Sequence, residues 1–296
     1  MMYYVYLVAF YISRILPIKV SYALADLIAR AFYASSRRDR VALEENMRVI
    51  LGRDAGKKDI GRNVLNVFRN FAKYLADFFK MSKLTRVYID RHVRFRGLEN
   101  LDKCLSEGRG VICLALHMGN WELGAALLSA IGYPMNALVL EHKDKRVDDL
   151  FVRQRSLNGT CNIPLGMSVK KCFKALRNNE AMAIVGDKDY TSSGLCVDLF
   201  GRKTVLPKGP AVISLKTGAP IVFTCLARRE DDTFDMMFEE PIKPVKTGDI
   251  DRDVHNLMDK YIKVFERYIR QYPDQWYAFK ELWTDPVTCT PRTITR

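Results

Sequence analysis

The chain has 296 residues, 48% hydrophobic and 27% charged, with a net charge of +13; this profile suits a domain large enough to bury a core without disulfides and excludes a disordered chain. The first hundred residues hold 19 Lys/Arg against 9 Asp/Glu, a bias that points to an anionic partner. No basic recognition helix, zinc finger or aromatic RNA-binding signature accompanies it, so nucleic acid is set aside. Of the remaining anionic partners, lipid headgroups and an acidic carrier protein, lipid is favoured, because the same third is the most aromatic and apolar.

Residues 1–45 read as an N-terminal helical, membrane-associating segment. Met1 to Ile12 is almost wholly apolar, but the positive residues Arg14 and Lys19 follow it, the reverse of a cleaved secretory leader. Tyr, Phe and Leu interleaved with flanking basic residues, ending in Arg37-Arg38-Asp39-Arg40, suit helices lying in a membrane interface. A helical pair packed on the domain, or one short span anchored by Arg37 and Arg38, fits the same residues. The packed pair would need no membrane.

Residues 46–284 form the main domain. Over 57–82 the apolar positions Ile60, Val64, Val67, Phe68, Phe71, Leu75, Phe78 and Phe79 recur at helical spacing, a packing face. From residue 93 short apolar runs alternate with helical stretches. Strands are expected at 111–116, 135–140, 181–186 and 220–226, and weaker ones at 93–96, 196–200 and 233–239. Helices are expected at 98–107, 120–131, 145–158, 168–178, 207–217 and 251–271. This alternation predicts an α/β fold, a mostly parallel central sheet flanked by helices. Residues 285–296, rich in proline and threonine, read as a loose C-terminal tail.

The seven cysteines (104, 113, 161, 172, 196, 225 and 289) are odd in number and form no C-x-x-C pair. Reduced thiols are expected, with neither a disulfide framework nor a metal site.

The chemistry-bearing segment is His117-Met118-Gly119-Asn120-Trp121-Glu122, directly after the strand at 111–116. Asn120 can cap the following helix, and catalytic side chains favour loops at the carboxyl ends of parallel strands. Glu122, in the first helical turn, can fold back onto the imidazole. A hydroxyl nucleophile needs a base near neutrality, which histidine supplies, and a carboxylate on the second ring nitrogen fixes its tautomer. No G-x-S-x-G serine elbow is present, so the base would act on the acceptor directly, without an acyl-enzyme. A buried histidine beside a glutamate placed for the helix dipole is the purely structural alternative.

The hexapeptide as a whole resembles the bacterial lipid A biosynthesis acyltransferases, the lauroyl/myristoyl transferases, within the glycerolipid and lysophospholipid acyltransferase superfamily marked by His-x4-Asp/Glu. Later segments follow the family's order: Arg155-Ser-Leu-Asn-Gly159, Asp187-Lys-Asp189-Tyr190, Leu199-Phe200-Gly201, and Pro273-Asp-Gln275-Trp276 with Trp283 beyond. Asn46 stands where the family has an asparagine after its basic N-terminal helix. Thr191, Leu199 and Glu281 depart from the pattern and leave the His117–Glu122 dyad untouched.

By this resemblance His117 is the base and Glu122 its partner. Arg155 stabilises the oxyanion or holds a substrate phosphate. Asp187 supports the dyad or binds the acceptor's polar head, and Asp189 holds loop structure. Trp276 and Trp283 read as core or interface residues. The implied reaction moves a fatty acyl chain from acyl-acyl carrier protein onto a hydroxyl of a lipid A precursor, without cofactor or metal. The location the resemblance implies is the cytoplasmic face of a bacterial inner membrane, N-terminally anchored. The alternatives are another acceptor, such as a mannosylated phosphoinositide or a lysophospholipid with acyl-CoA as donor, a thioester hydrolase, or a non-catalytic lipid-binding relative.

Overall fold

The computed structural model describes residues 2–52, 54–165, 168–285 and 289. The N-terminal part is helical: α1 (Met2–Ile15), α2 (Ile18–Ser35), α3 (Arg37–Leu51), α4 (Lys57–Lys80) and α5 (Arg86–His92). Strands and helices then alternate through β1 (Val93–Arg96), α6 (Leu98–Ser106), β2 (Val111–Ala115), α7 (Trp121–Ala130), β3 (Met135–Val139), α8 (Lys145–Ser156), β4 (Cys161–Pro164), α9 (Ser168–Arg177) and β5 (Ala181–Val185). A hairpin of β6 (Leu195–Leu199) and β7 (Arg202–Leu206) precedes α10 (Gly209–Thr217), β8 (Ile221–Arg228), β9 (Phe234–Phe238) and α11 (Ile250–Gln271).

Among the described residues the main sheet has the order β1-β9-β8-β2-β5-β3-β4. The run from β8 to β4 is parallel; β9 pairs antiparallel with β8, and β1 parallel with β9. Helices cover both faces, which is why the central strands are nearly continuous apolar runs: all eight residues of β8 are buried. Side chains alternate between two cores. Val111, Cys113 and Ala181 face one, with α6, α7 and α8; Ile112, Leu114, Met182 and Phe223 face the other, with α9, α10 and α11.

Helix α4 belongs to both cores. Ile60, Val64, Val67 and Phe68 lie in one, Phe78 and Phe79 in the other. The helix thus crosses between the faces, beside the loop that follows β2. On it lies α2, whose small buried residues Ser21, Ala25 and Ala29 permit a close approach, secured by Asp26–Arg69 and Tyr22–Asp77 contacts. The outer face of α2 is apolar and exposed: Val20, Leu24, Leu27, Ile28 and Phe32. No helix among the described residues is long and apolar enough to cross a membrane.

Three sequence expectations need correction. The boundary placed between residues 45 and 46 falls inside α3, where Asn46 donates to the carbonyls of Ala278 and Lys280 at 2.9 Å each. Two strands are additional: β4, a short edge strand, and β7, which pairs with the expected strand near 196–200. Cys196 and Cys289 form a disulfide with Cα atoms 6.1 Å apart, so those two thiols are not reduced; the other five are free. The pairing brings together residues 93 apart in sequence, which spacing alone cannot reveal. Of the expected loose tail, residues 286–288 and 290–296 lie outside the described residues.

Candidate active site

Strands β2 and β5 are neighbours, with Ala115 opposite Val185. Two residues beyond each of these, the chain presents His117 and Asp187 side by side. The imidazole Nδ1 lies 2.6 Å from an Asp187 carboxylate oxygen, and the His117 main-chain N–H points at both oxygens from 3.2 Å. The indole N–H of Trp276 donates to the second oxygen at 2.8 Å. Asp187 is 3% exposed. Burial alone would raise its carboxyl, but the His117 charge and hydrogen bond, Lys188 and the Trp276 N–H outweigh it and hold the group below the usual carboxylate range. An ionised Asp187 makes Nδ1 the protonated nitrogen and leaves Nε2 as the basic one.

The loop carrying His117 is pinned along its length. The Tyr277 N–H donates to the His117 carbonyl at 2.8 Å, the Gly119 N–H to Gln275 at 2.9 Å and the Asn120 N–H to Leu226 at 2.9 Å. Gly119 has φ +58°, and a Cβ there would collide with the Leu226 carbonyl, so only glycine fits. Asn120 caps α7 as expected, its side-chain oxygen accepting from the Leu123 N–H at 3.1 Å. Trp121 packs edge-on to His117 and stacks on Tyr74 with ring centroids 4.2 Å apart.

Glu122 does not take the place expected of it. Both its oxygens are held by Arg155, through Nε at 2.8 Å and Nη2 at 2.7 Å. The first turn of α7 directs its side chain to α8, while the neighbouring strand β5 delivers a different carboxylate to the imidazole. Arg155 is therefore the fixed partner of Glu122, and its Nη1 has no hydrogen-bond partner among the described residues. Asp189 closes the turn after β5, accepting from the Thr191 and Gly194 N–H groups at 2.8 Å each. Trp276 and Trp283 are core residues, each 2% exposed, and Trp276 adds the bond to Asp187.

A cavity of about 620 Å³ opens at these residues. His117, Glu122, Arg155 and Lys188 are among its polar lining groups, with Glu141, His142, Lys208 and Lys216. Apolar walls come from Cys113, Gly124, Leu128, Met135, Ala137 and Ala183. Cys113, Ala183 and Ala137 are in register on three adjacent strands, and their small side chains leave space under α7. The lining includes both ends of β3, Met135 and Val139, a length of about 13 Å at 3.3 Å per residue. Burial pushes the Cys113 and Cys225 thiols, which also line the cavity, up to about 12. They are poor nucleophiles at neutral pH.

Several residues around the site escaped the sequence reading: Tyr74, Lys188, Arg228 and Asp77; Gln275 was noted only as part of a matching segment. Asp77 carried the clearest signal, an acidic residue beside Phe78 and three positions after Tyr74, on the buried side of α4.

A family model described as bacterial lipid A biosynthesis acyltransferase matches residues 1–285. A phosphatidylinositol mannoside acyltransferase of Mycolicibacterium smegmatis is 24% identical over 260 residues, 86% of this chain and 83% of that protein. A lipid A biosynthesis palmitoleoyltransferase of Escherichia coli is 24% identical over 194 residues, 64% of this chain and 61% of that one. A solved 1-acyl-sn-glycerophosphate acyltransferase from Thermotoga maritima aligns over 88% of this chain and 99% of its own, with TM-score 0.40 and 16% identity. The chain belongs to the bacterial lipid A biosynthesis acyltransferase family and is an acyltransferase.

Proposed function

We propose that the protein transfers a fatty acyl chain from an acyl thioester onto a hydroxyl of a membrane glycolipid, with His117 as general base. The observation that carries this reading is the buried Asp187–His117 pair at an apolar cavity. The acceptor hydroxyl attacks the thioester carbonyl while His117 Nε2 takes its proton. Asp187 stabilises the imidazolium so formed. Collapse of the tetrahedral oxyanion breaks the carbon–sulfur bond, and the imidazolium returns its proton to the departing thiolate. Arg155, held by Glu122 and lining the cavity, supplies a fixed positive charge for the oxyanion or a substrate phosphate. The apolar walls beneath α7 receive the acyl chain. The inert cavity thiols support direct transfer without an acyl-enzyme.

The family's description supports a lipid A precursor as acceptor, and acyl-acyl carrier protein is the donor assigned in this reading. A mannosylated phosphoinositide with acyl-CoA as donor is the second reading, favoured by the longer match to the mycolicibacterial relative. The exposed apolar faces of α1 and α2, with Ile15 80% and Leu27 65% exposed beside Arg14, Lys19, Arg37 and Arg38, support seating on the cytoplasmic face of an inner membrane. The test is mass spectrometry of lipids after incubation with each thioester donor and wild-type or His117→Ala protein. An acyl mass gained by a glycolipid only with wild type is expected. Near-native transfer by His117→Ala would remove His117 as the base.

A further inference from the structure

A second buried polar cluster lies against the His117 loop. Asp77 of α4 pairs with Arg228 at the end of β8, their side chains 9% and 6% exposed. Asp77 also accepts from the Tyr22 hydroxyl and, at 3.0 Å, from the side-chain N–H of Asn120. Arg228 donates to the Tyr22 hydroxyl at 3.0 Å and to Asp232 at 3.4 Å, and Lys73 donates to Asp232 at 2.7 Å. The main chain of Arg228 is bonded on both sides by the Gln275 amide, at 2.8 Å each.

A buried ion pair is weak as a source of stability, because desolvation offsets its attraction. Capping α7 needs only the Asn120 side-chain oxygen, a task aspartate performs equally well. What aspartate cannot do is donate to Asp77. The Asn120 amide accepts from Leu123 at one end and donates to the Asp77 carboxylate at the other.

We propose that Asp77 is a positioning residue for acyl transfer: through Asn120 it fixes the loop that carries His117, and Arg228 and Tyr22 hold Asp77 in place. The inference rests on His117 being the base. Because Tyr22 belongs to α2, whose opposite face is exposed and apolar, the same carboxylate joins the N-terminal helical pair to the reaction loop.

The test is the exchange of an amide and a carboxylate. Asn120→Asp keeps the helix cap and sets a second carboxylate against Asp77. Asp77→Asn combined with Asn120→Asp restores the bond with the roles reversed. Initial rates are read as thiol released from palmitoyl-CoA with a lipid A precursor, a phosphatidylinositol mannoside or water as acceptor, on proteins with wild-type circular dichroism. Asn120→Asp should lower kcat on the order of 10²-fold, the effect of a misplacement of about 1 Å, while KM for palmitoyl-CoA stays within about twofold. The exchanged pair should regain about tenfold of the loss. Wild-type kcat in Asn120→Asp, or an exchanged pair no better than Asn120→Asp, would overturn the proposal. If the exchanged pair does not fold, Asn120→Asp alone decides, because a cap-only role leaves kcat unchanged. His117→Ala in the same assay separates the two levels: activity retained there refutes the base, whereas a dead His117→Ala beside a normal Asn120→Asp refutes only Asp77.

Discussion

Glu122→Gln measures what the Glu122–Arg155 pair does. The two side chains are 10% and 11% exposed, and both carboxylate oxygens are bonded. Burial opposes the Arg155 charge, and Glu122 more than offsets it, so the guanidinium pKa stands above its ordinary value. Removing one partner of a buried pair costs about 3–5 kcal/mol, because the other charge stays behind unpaired. Glutamine keeps one acceptor oxygen, which returns about 1 kcal/mol. A net loss of about 2–4 kcal/mol is expected, read as a shift of the urea midpoint without change of slope. Adding Arg155→Met removes the stranded cation, so the double variant should be more stable than Glu122→Gln alone. The coupling between the positions should be about 0.5–3 kcal/mol. A cost for Glu122→Gln under about 0.5 kcal/mol, or a double variant that loses the sum of both singles, would refute the reasoning. Glu122 would then be free to serve His117, as its spacing in the sequence suggested.

Asp187→Asn should lower kcat about 10²–10⁴-fold, since the imidazolium loses its counter-charge; activity close to wild type would separate Asp187 from the chemistry. Because the folded Asp187 carboxyl lies below its unfolded value, its stabilising contribution is complete above the unfolded pKa of about 3.9 and is lost as pH falls toward the folded one. The stability gap between wild type and Asp187→Asn in urea should therefore narrow below about pH 4, and a gap constant across that range would contradict the linkage. Ala137→Phe fills the space beneath α7, so competition between acyl-CoA donors of different length should shift toward shorter chains; an unchanged preference would place the acyl chain elsewhere. Leu27→Asp with Ile28→Asp removes two exposed apolar side chains from α2, each contributing about 1.5–3 kcal/mol if fully buried in lipid. Co-sedimentation with anionic vesicles should fall by more than about tenfold, and undiminished binding would exclude α2 as the docking face.

The sequence by itself determined the element pattern and pointed to the loop after β2 as the candidate site. Strands β2, β3 and β5 were legible as short apolar runs, and α4 and α11 as long amphipathic repeats, because burial on one or two faces writes a local periodicity into the chain. His117 stood out only through the whole hexapeptide, since the bare His-x4-Glu spacing equally fits a buried histidine beside a glutamate placed for the helix dipole. The hexapeptide and the segments after it also carried the family. Edge strand β4 and the second strand of the β6–β7 hairpin were not legible, since half-exposed strands leave a mixed pattern. Tertiary structure alone decided which carboxylate serves the histidine. Glu122 is five residues away in sequence, but its place in the first turn of α7 sends it to Arg155. Asp187 is seventy residues away, and the pairing of β5 with β2 brings it to 2.6 Å from the ring. Asp77, Tyr22 and Arg228 likewise meet only because α4 crosses between the two faces of the sheet and α2 lies on it. Helical and strand periodicity are set by neighbours in the chain, whereas partners for buried charges are set by which elements pack together.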